Sequence, residues 1–125
     1  MPARSYIQQA AGAMRKASQA LKADAQNMHK VAEAEKRQYH DRAHDATQKR
    51  NAAVALLAAA DSHTETDIVR RKILESEKVI NESEEHVKRI DAETAQKMNA
   101  AESAAHEAES LAGAIERLLG QSGYE

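Results

Sequence analysis

Small and apolar residues recur at alternating steps of three and four positions through the second half of the chain. This spacing constrains the fold more than any other feature. One series steps by seven from Ile73 to Ile115, and a second steps by seven from Val69 to Leu118. Such a repeat draws one continuous stripe along a helix and is typical of a helix that packs against another. The sequence therefore predicts a second helix over about residues 66–119.

The frame of this repeat is expected to hold without a slip. On that assumption Lys97 and Leu111 belong to the Val69 series and face the partner helix, together with Ser76 and Ser83. Polar residues in such a seam lower stability while they specify register and the number of helices. A seam of this composition is weak, and the pattern favours additional packing by another helix.

The first half carries a less regular stripe. Ile7, Met14, Leu21 and Met28 are spaced by seven, and no Gly or Pro interrupts residues 13–60. A near-straight helix departs gradually from a strict 3.5-residue repeat, so the stripe is expected to drift along the helix. The pattern predicts a first helix over about residues 3–60, whose later stripe passes through Tyr39, Ala43, Ala46, Val54 and Leu57.

A short polar stretch separates the two stripes at the middle of the chain. Asp61, Ser62, Thr64 and Thr66 carry short side-chain oxygens that can cap a helix N-terminus. Thr64 with Asp67 has the spacing of a capping box. The sequence predicts a turn at about residues 61–65, a short flexible tail at 120–125, and a single helical-hairpin domain over 1–125.

Composition and charge support pairing of the two helices. Residues 1–60 hold ten Lys or Arg against five Asp or Glu, whereas residues 61–125 hold eight against fifteen, giving net charges of +5 and −7. Opposite charges favour pairing, for example between Lys36 and Asp91. The chain has 27 Ala and no Phe, Trp or Cys, so its core should be thin. We predict an all-α, antiparallel two-helix coiled-coil hairpin that self-associates into a four-helix bundle.

Several functional classes are disfavoured by what the sequence lacks. There is no apolar segment of signal-peptide or membrane-spanning type, which predicts a cytoplasmic protein without membrane association. There is no cysteine, no nucleophile elbow and no Gly-rich phosphate loop, so neither an enzyme nor a cofactor site is expected. The basic residues of the first half are interleaved with acids rather than concentrated on one face, which argues against nucleic acid as a partner.

Histidines provide the one alternative with a defined chemistry. His40 and His44 are one helical turn apart, a spacing that can chelate a transition metal, and His29 lies on nearly the same face. In the hairpin register His86 is level with His40 but on the other flank of the seam, so a third ligand requires Glu84 or another chain. The alternative interpretation is a helical bundle that binds a transition metal, and the default is that these histidines are solvated.

The open end of the hairpin is the predicted interaction surface. Gly12 and Gly113 lie at one level, where a helix from another molecule could approach closely, and larger apolar residues surround them. We predict a non-enzymatic structural or adaptor protein that binds a second copy of itself or a helical partner. The candidate interface residues are Tyr6, Ile7, Gly12, Met14, Leu111, Gly113, Ile115, Leu118 and Leu119.

Overall fold

The computed structural model of the chain describes residues 2–120 and has two long α-helices. Helix α1 spans Pro2–Ala58 and helix α2 spans His63–Leu119, joined by residues 59–62. The helices pack against each other, so the predicted all-α helical hairpin is confirmed. Residues 121–125 of the predicted flexible tail lie outside the described residues.

The two helices contribute to two compact units. The turn unit comprises Val31–Glu93, and the open-end unit comprises the described residues before and after it, 2–30 and 94–120. Each unit consists of one stretch of α1 and one stretch of α2.

Only alanine and serine are buried among the described residues. In the open-end unit these are Ala11, Ser18, Ala25, Ala101, Ala105 and Ala112, and in the turn unit they are Ala32, Ala46, Ala53, Ser76 and Ser83. Larger seam residues such as Leu21, Ile73 and Ile115 are half-buried. A methyl group contributes far less on burial than a leucine or isoleucine side chain, about 0.8 against 1.5–3 kcal/mol. The seam is therefore narrow and closely packed, as the alanine content predicts.

Within the turn unit α2 follows the predicted frame. The side chains of Ser76 and Ser83 are buried, and those of Val69, Ile73 and Ile80 are half-buried beside them. Lys36 and Asp91 form the predicted ion pair, with 2.7 Å between Nζ and Oδ1. The predicted antiparallel register is thus correct for this unit.

The prediction of an uninterrupted frame in α2 is wrong beyond Thr94. Lys97 and Leu111 are exposed, and the seam instead passes through Met98, Ala105 and Ala112. The burial pattern takes two successive four-residue steps, from Ile90 to Thr94 and on to Met98. The three-four-four spacing corresponds to 3.67 residues per turn, close to that of a straight helix. The shift leaves the Lys97 ammonium in water, where it needs no buried partner.

Helix α1 changes step in the same way. The burial pattern steps by four from Met28 to Ala32 and by four again to Lys36, after which it continues through Ala46 and Ala53. Val54, which was predicted to lie in the seam, is 50% exposed, because the buried position is Ala53. The stripe does drift along α1, but by one residue less at this end than the sequence pattern indicated.

The N-terminal cap of α2 lies two residues earlier than predicted. The backbone N–H of Glu65 donates to Ser62 Oγ at 3.1 Å, and Glu65 Oε2 accepts from the backbone N–H of Asp61 at 3.1 Å. Ser62 thus caps α2 and Glu65 reaches back to the preceding residue, an arrangement close to a capping box that uses Ser62 and Glu65 rather than Thr64 and Asp67. Glutamate is the residue that this motif prefers at its fourth position, and its negative charge also suits the helix N-terminus.

The cap can be tested by comparing two alanine variants. We expect Ser62→Ala to lower the free energy of unfolding by about 1 kcal/mol, because a backbone N–H at the start of α2 loses its acceptor. Thr64→Ala removes a hydroxyl that caps nothing and should change stability by no more than a few tenths of a kcal/mol. Urea unfolding followed by circular dichroism measures both. An equal or larger loss in Thr64→Ala would assign the cap to Thr64.

Candidate functional site

The nine predicted interface residues all lie in the open-end unit, in three different positions around it. Four lie in or beside the seam and are half-buried. Two glycines lie away from the seam, and three residues, two of them more than half exposed, form part of one flank. The seam residues are Ile7, Met14, Ile115 and Leu119, the glycines are Gly12 and Gly113, and the flank residues are Tyr6, Leu111 and Leu118. Their role as an interface stays a prediction, and the geometry does not place them on one surface.

One flank of the open-end unit carries the ion pairs between its two helices. The Arg15 guanidinium donates from Nε to Glu116 Oε1 at 2.8 Å and from Nη2 to Glu116 Oε2 at 2.7 Å. Lys22 Nζ donates to Glu109 Oε1, and these two residues lie seven positions from Arg15 on α1 and from Glu116 on α2. A two-pronged Arg–carboxylate pair of this kind fixes geometry more strictly than a single contact. We call this side the charged flank.

The charged flank also shifts the pKa values of its carboxylates. The Arg15 guanidinium beside Glu116 holds the pKa of that carboxyl below its ordinary value. The Lys22 ammonium, and after it the Ser18 hydroxyl, lower the pKa of Glu109. In return the pKa of Arg15 is raised, first by its hydrogen bonds to Glu116. Each shift favours the charged form in the folded chain.

Ser18 is the one buried side chain whose hydroxyl is poorly satisfied within the described residues. Its side chain is fully buried, and its Oγ makes no hydrogen bond of good geometry. The nearby Glu109 carboxylate still feels the hydroxyl dipole, which accounts for its secondary effect on that pKa. The hydroxyl is poorly placed for a hydrogen bond to this carboxylate, so the interaction is weak and Lys22 is the main partner of Glu109.

The opposite flank of the open-end unit is apolar. Tyr6 is 68% exposed and Leu111 is 51% exposed, on the side of each helix away from the ion pairs. At 100° per residue, Ala10, Ala13 and Ala17 share this side with Tyr6 on α1, with Asp24 two turns beyond Ala17, and Ala104 and Leu118 share it with Leu111 on α2. We call this side the apolar face, and its residues are Tyr6, Ala10, Ala13, Ala17, Ala104, Leu111 and Leu118.

Sequence reasoning found three residues of the apolar face and missed its alanines. Ala10, Ala13 and Ala17 follow Tyr6 at steps of four, three and four, which is a second stripe beside the seam stripe. The signal was hidden because alanine is common throughout the chain. It becomes visible only when the positions of Arg15, Lys22 and their acidic partners show which side of the seam is charged.

Gly12 and Gly113 lie outside the apolar face. Gly12 is exposed and Gly113 is half-exposed, and a Cβ added at either position would meet no atom within 4 Å. Nothing in the hairpin itself therefore requires glycine at these two positions. A mid-helix glycine costs up to about 1 kcal/mol relative to alanine, so both positions weaken their helices.

The turn unit contains an aromatic contact that the sequence pattern did not predict. The rings of Tyr39 and His86 stack with their centroids 4.5 Å apart and an interplanar angle of 15°, and the Arg42 guanidinium lies 5.8 Å from the Tyr39 centroid. These residues line an open groove of about 470 Å³, together with further charged residues such as the basic Lys49 and the acidic Glu82. The charges in this groove are mixed and suit water better than a ligand of one sign.

The histidines of the alternative metal site are exposed. His40 lines a shallow groove with Glu84, whereas His44 does not line it. Between residues 2 and 120 the structure brings together no group of three or more His, Asp or Glu side chains that could hold a metal ion. Metal binding through His40 and His44 would therefore need a ligand from another chain.

Comparison with known proteins adds no relative. No family model, no curated protein and no solved structure matches the chain. In the part of the chain that the structure describes, neither helix has an apolar stretch of the length that a membrane span requires.

The charged flank predicts how stability depends on pH. Because the folded-state pKa of Glu109 and of Glu116 is depressed, their contribution is present above their ordinary pKa of 4.5 and is lost as the pH falls through the folded-state value. We expect the double variant Glu109→Gln/Glu116→Gln to be less stable at neutral pH and to lose less stability than the native chain between about pH 6 and 3. Urea unfolding across this range measures the difference.

The exposed pair Glu102 and Glu107 provides the control. The double variant Glu102→Gln/Glu107→Gln removes the same charge from the same helix without touching Arg15 or Lys22. Its pH profile should follow that of the native chain. A profile that flattened as much as in the Glu109/Glu116 variant would mean that net charge, and not the two ion pairs, sets the pH dependence.

Proposed function

We propose that this chain is a non-enzymatic structural or adaptor module that acts by coiled-coil packing of its helices against helices of another chain. The observation that carries the proposal is the composition of the seam. Only alanine and serine are buried, while each larger apolar residue that the structure describes keeps part of its surface exposed to water. A hairpin built in this way has apolar surface left over for a partner.

The energetics of the seam support this proposal. Alanine loses no side-chain entropy on burial but contributes only its methyl group, so the gain per residue is small. Most helical stability in proteins comes from packing of an amphipathic face rather than from propensity. Two helices that bury only small side chains against each other therefore gain less than two helices that contribute four-carbon side chains. Packing against a third or fourth helix would bury the half-exposed residues Leu21, Met28, Ile73 and Ile115.

A structural role also fits the grooves beside the seam. The groove beside Tyr39 and His86 in the turn unit is open, and the charged residues that line it, including Asp45, Lys49, Glu75 and Glu82, are of both signs. Such a groove has neither the enclosure nor the convergent polar groups of a typical small-molecule site. These features favour a surface that contacts protein over one that contacts substrate.

The proposal predicts that the isolated 13.7 kDa chain is only marginally stable. We expect the monomer to unfold with a free energy below the roughly 5–15 kcal/mol of typical domains, and assembly to raise that value by mass action. Urea unfolding by circular dichroism at protein concentrations from about 2 to 200 µM, with light scattering on the same samples, measures both. A monomer that unfolds cooperatively, independently of concentration and within the typical range would contradict the proposal.

A further inference from the structure

We infer that the apolar face of the open-end unit docks a second copy of this chain, so that two open-end units bury the alanines of α1 and the leucines of α2 between them. The inference rests on the proposed function and names its partner and surface. The open-end unit holds 12 charged residues in its 56 described positions, and these are distributed unevenly around the two helices.

The separation of the two flanks is nearly complete. Arg15, Lys22, Glu109 and Glu116 all lie on the charged flank. On the apolar face, the positions from Tyr6 to Ala20 on α1 carry no charge and those from Ala100 to Leu118 on α2 carry only Glu107, while Asp24 and Lys97 on the same side bound these ranges. A helix face in contact with water only would have no reason to exclude charge over four turns. Burial against another apolar surface gives that reason.

The apolar face is continuous with the seam. Leu21, Met28 and Ile115 are half-buried, and their helical positions place them at the edge of the seam that adjoins the apolar face. A second hairpin on this face would cover those residues together with Tyr6 and Leu111. The apolar face therefore continues the half-buried edge of the seam and is not a separate patch.

The exposed area of the chain is large enough for such an interface. The described chain exposes 9011 Å². A compact folded chain of 13.7 kDa exposes about 6,600 Å², so this chain exposes roughly 2,400 Å² more. A stable interface needs about 800 Å² from each partner, and permanent homodimers bury more. The excess is spread over both units, and it means that this chain buries less of its surface than a compact chain of the same mass.

The face is complementary to itself under a twofold axis along the helices. That axis places α1 of one copy on α2 of the other, so the leucines at 111 and 118 of one copy lie over the alanines at 10, 13 and 17 of the other. Charge favours the same arrangement. In the open-end unit α1 holds five Lys or Arg against one acid, while α2 holds two against four over the described residues. The alternative axis would stack alanine on alanine and basic helix on basic helix.

Two pairs of matched arginine variants test the proposal on the full chain. Leu111→Arg and Ala13→Arg place a charge in the apolar face, whereas Leu74→Arg and Ala55→Arg make the same changes at exposed positions of the turn unit. Sedimentation equilibrium gives the dimer dissociation constant, and circular dichroism gives the helix content. We expect a dimer of twice 13.7 kDa for the native chain. We expect at least tenfold weaker dimerisation in the first pair of variants, and a change within about twofold in the second.

The outcomes separate this inference from the proposed function. A native dimer that persists in both apolar-face variants, or that is weakened instead by Leu74→Arg, would overturn the assignment of the face and leave the structural role standing. A native chain that stays monomeric but marginally stable would overturn the second copy as partner and leave a different helical partner as the expectation. A monomer of typical stability would overturn both. Arginine is a good helix former and both positions are exposed, so two independent variants keep the result decisive if one fails to fold.

Discussion

The structure depends on the packing of two helices along a seam in which alanine and serine are the only buried residues between positions 3 and 120. Small side chains let the backbones come near each other, and this explains why charged side chains on the flank can reach across. Arg15 meets Glu116 with two hydrogen bonds, and Lys36 meets Asp91 at 2.7 Å. Leucines at the buried alanine and serine positions would separate the helices and lengthen these contacts. The same small side chains bury little apolar area inside the hairpin. Much of the apolar surface of the larger side chains therefore lies beside the seam, exposed to water.

In both helices the spacing of the seam positions changes, and this change also follows from the need to keep the two helices in contact. A strict seven-residue repeat needs the helices to supercoil, whereas a spacing of three, four and four suits a nearly straight helix. In α2 the change moves the seam from Lys97 to Met98 and from Leu111 to Ala112. In α1 it brings Lys36 to the seam edge, where the aliphatic stem packs and the ammonium reaches Asp91 and Glu33. The pKa of Lys36 is raised, first by its hydrogen bond to Asp91 and next by its hydrogen bond to Glu33.

The hairpin, the register of the turn unit and the ion pair between Lys36 and Asp91 could be predicted from sequence, because they follow from periodicity and the sign of charge. The frame beyond Thr94 could not, because Ala104 and Ala105 are equally small and the sequence does not distinguish them. Only burial shows that Leu111 lies outside the seam and belongs to a flank. The cap was placed at Thr64 because several polar residues compete there, and the glutamate three residues after Ser62 was the better signal.

The register of the hairpin cannot come from the ion pairs alone. Arg15 with Glu116 and Lys22 with Glu109 are one heptad apart on both helices, so a slip of seven residues would bring Arg15 to Glu109 and Lys22 to Glu102. The field of Glu109 already reaches Arg15. Such a slip moves one helix by about 10 Å. The four-residue connection at 59–62 has no length to spare for it, since Ser62 and Glu65 hold the start of α2. The turn therefore selects the register, and the ion pairs of the charged flank leave the opposite side of each helix apolar.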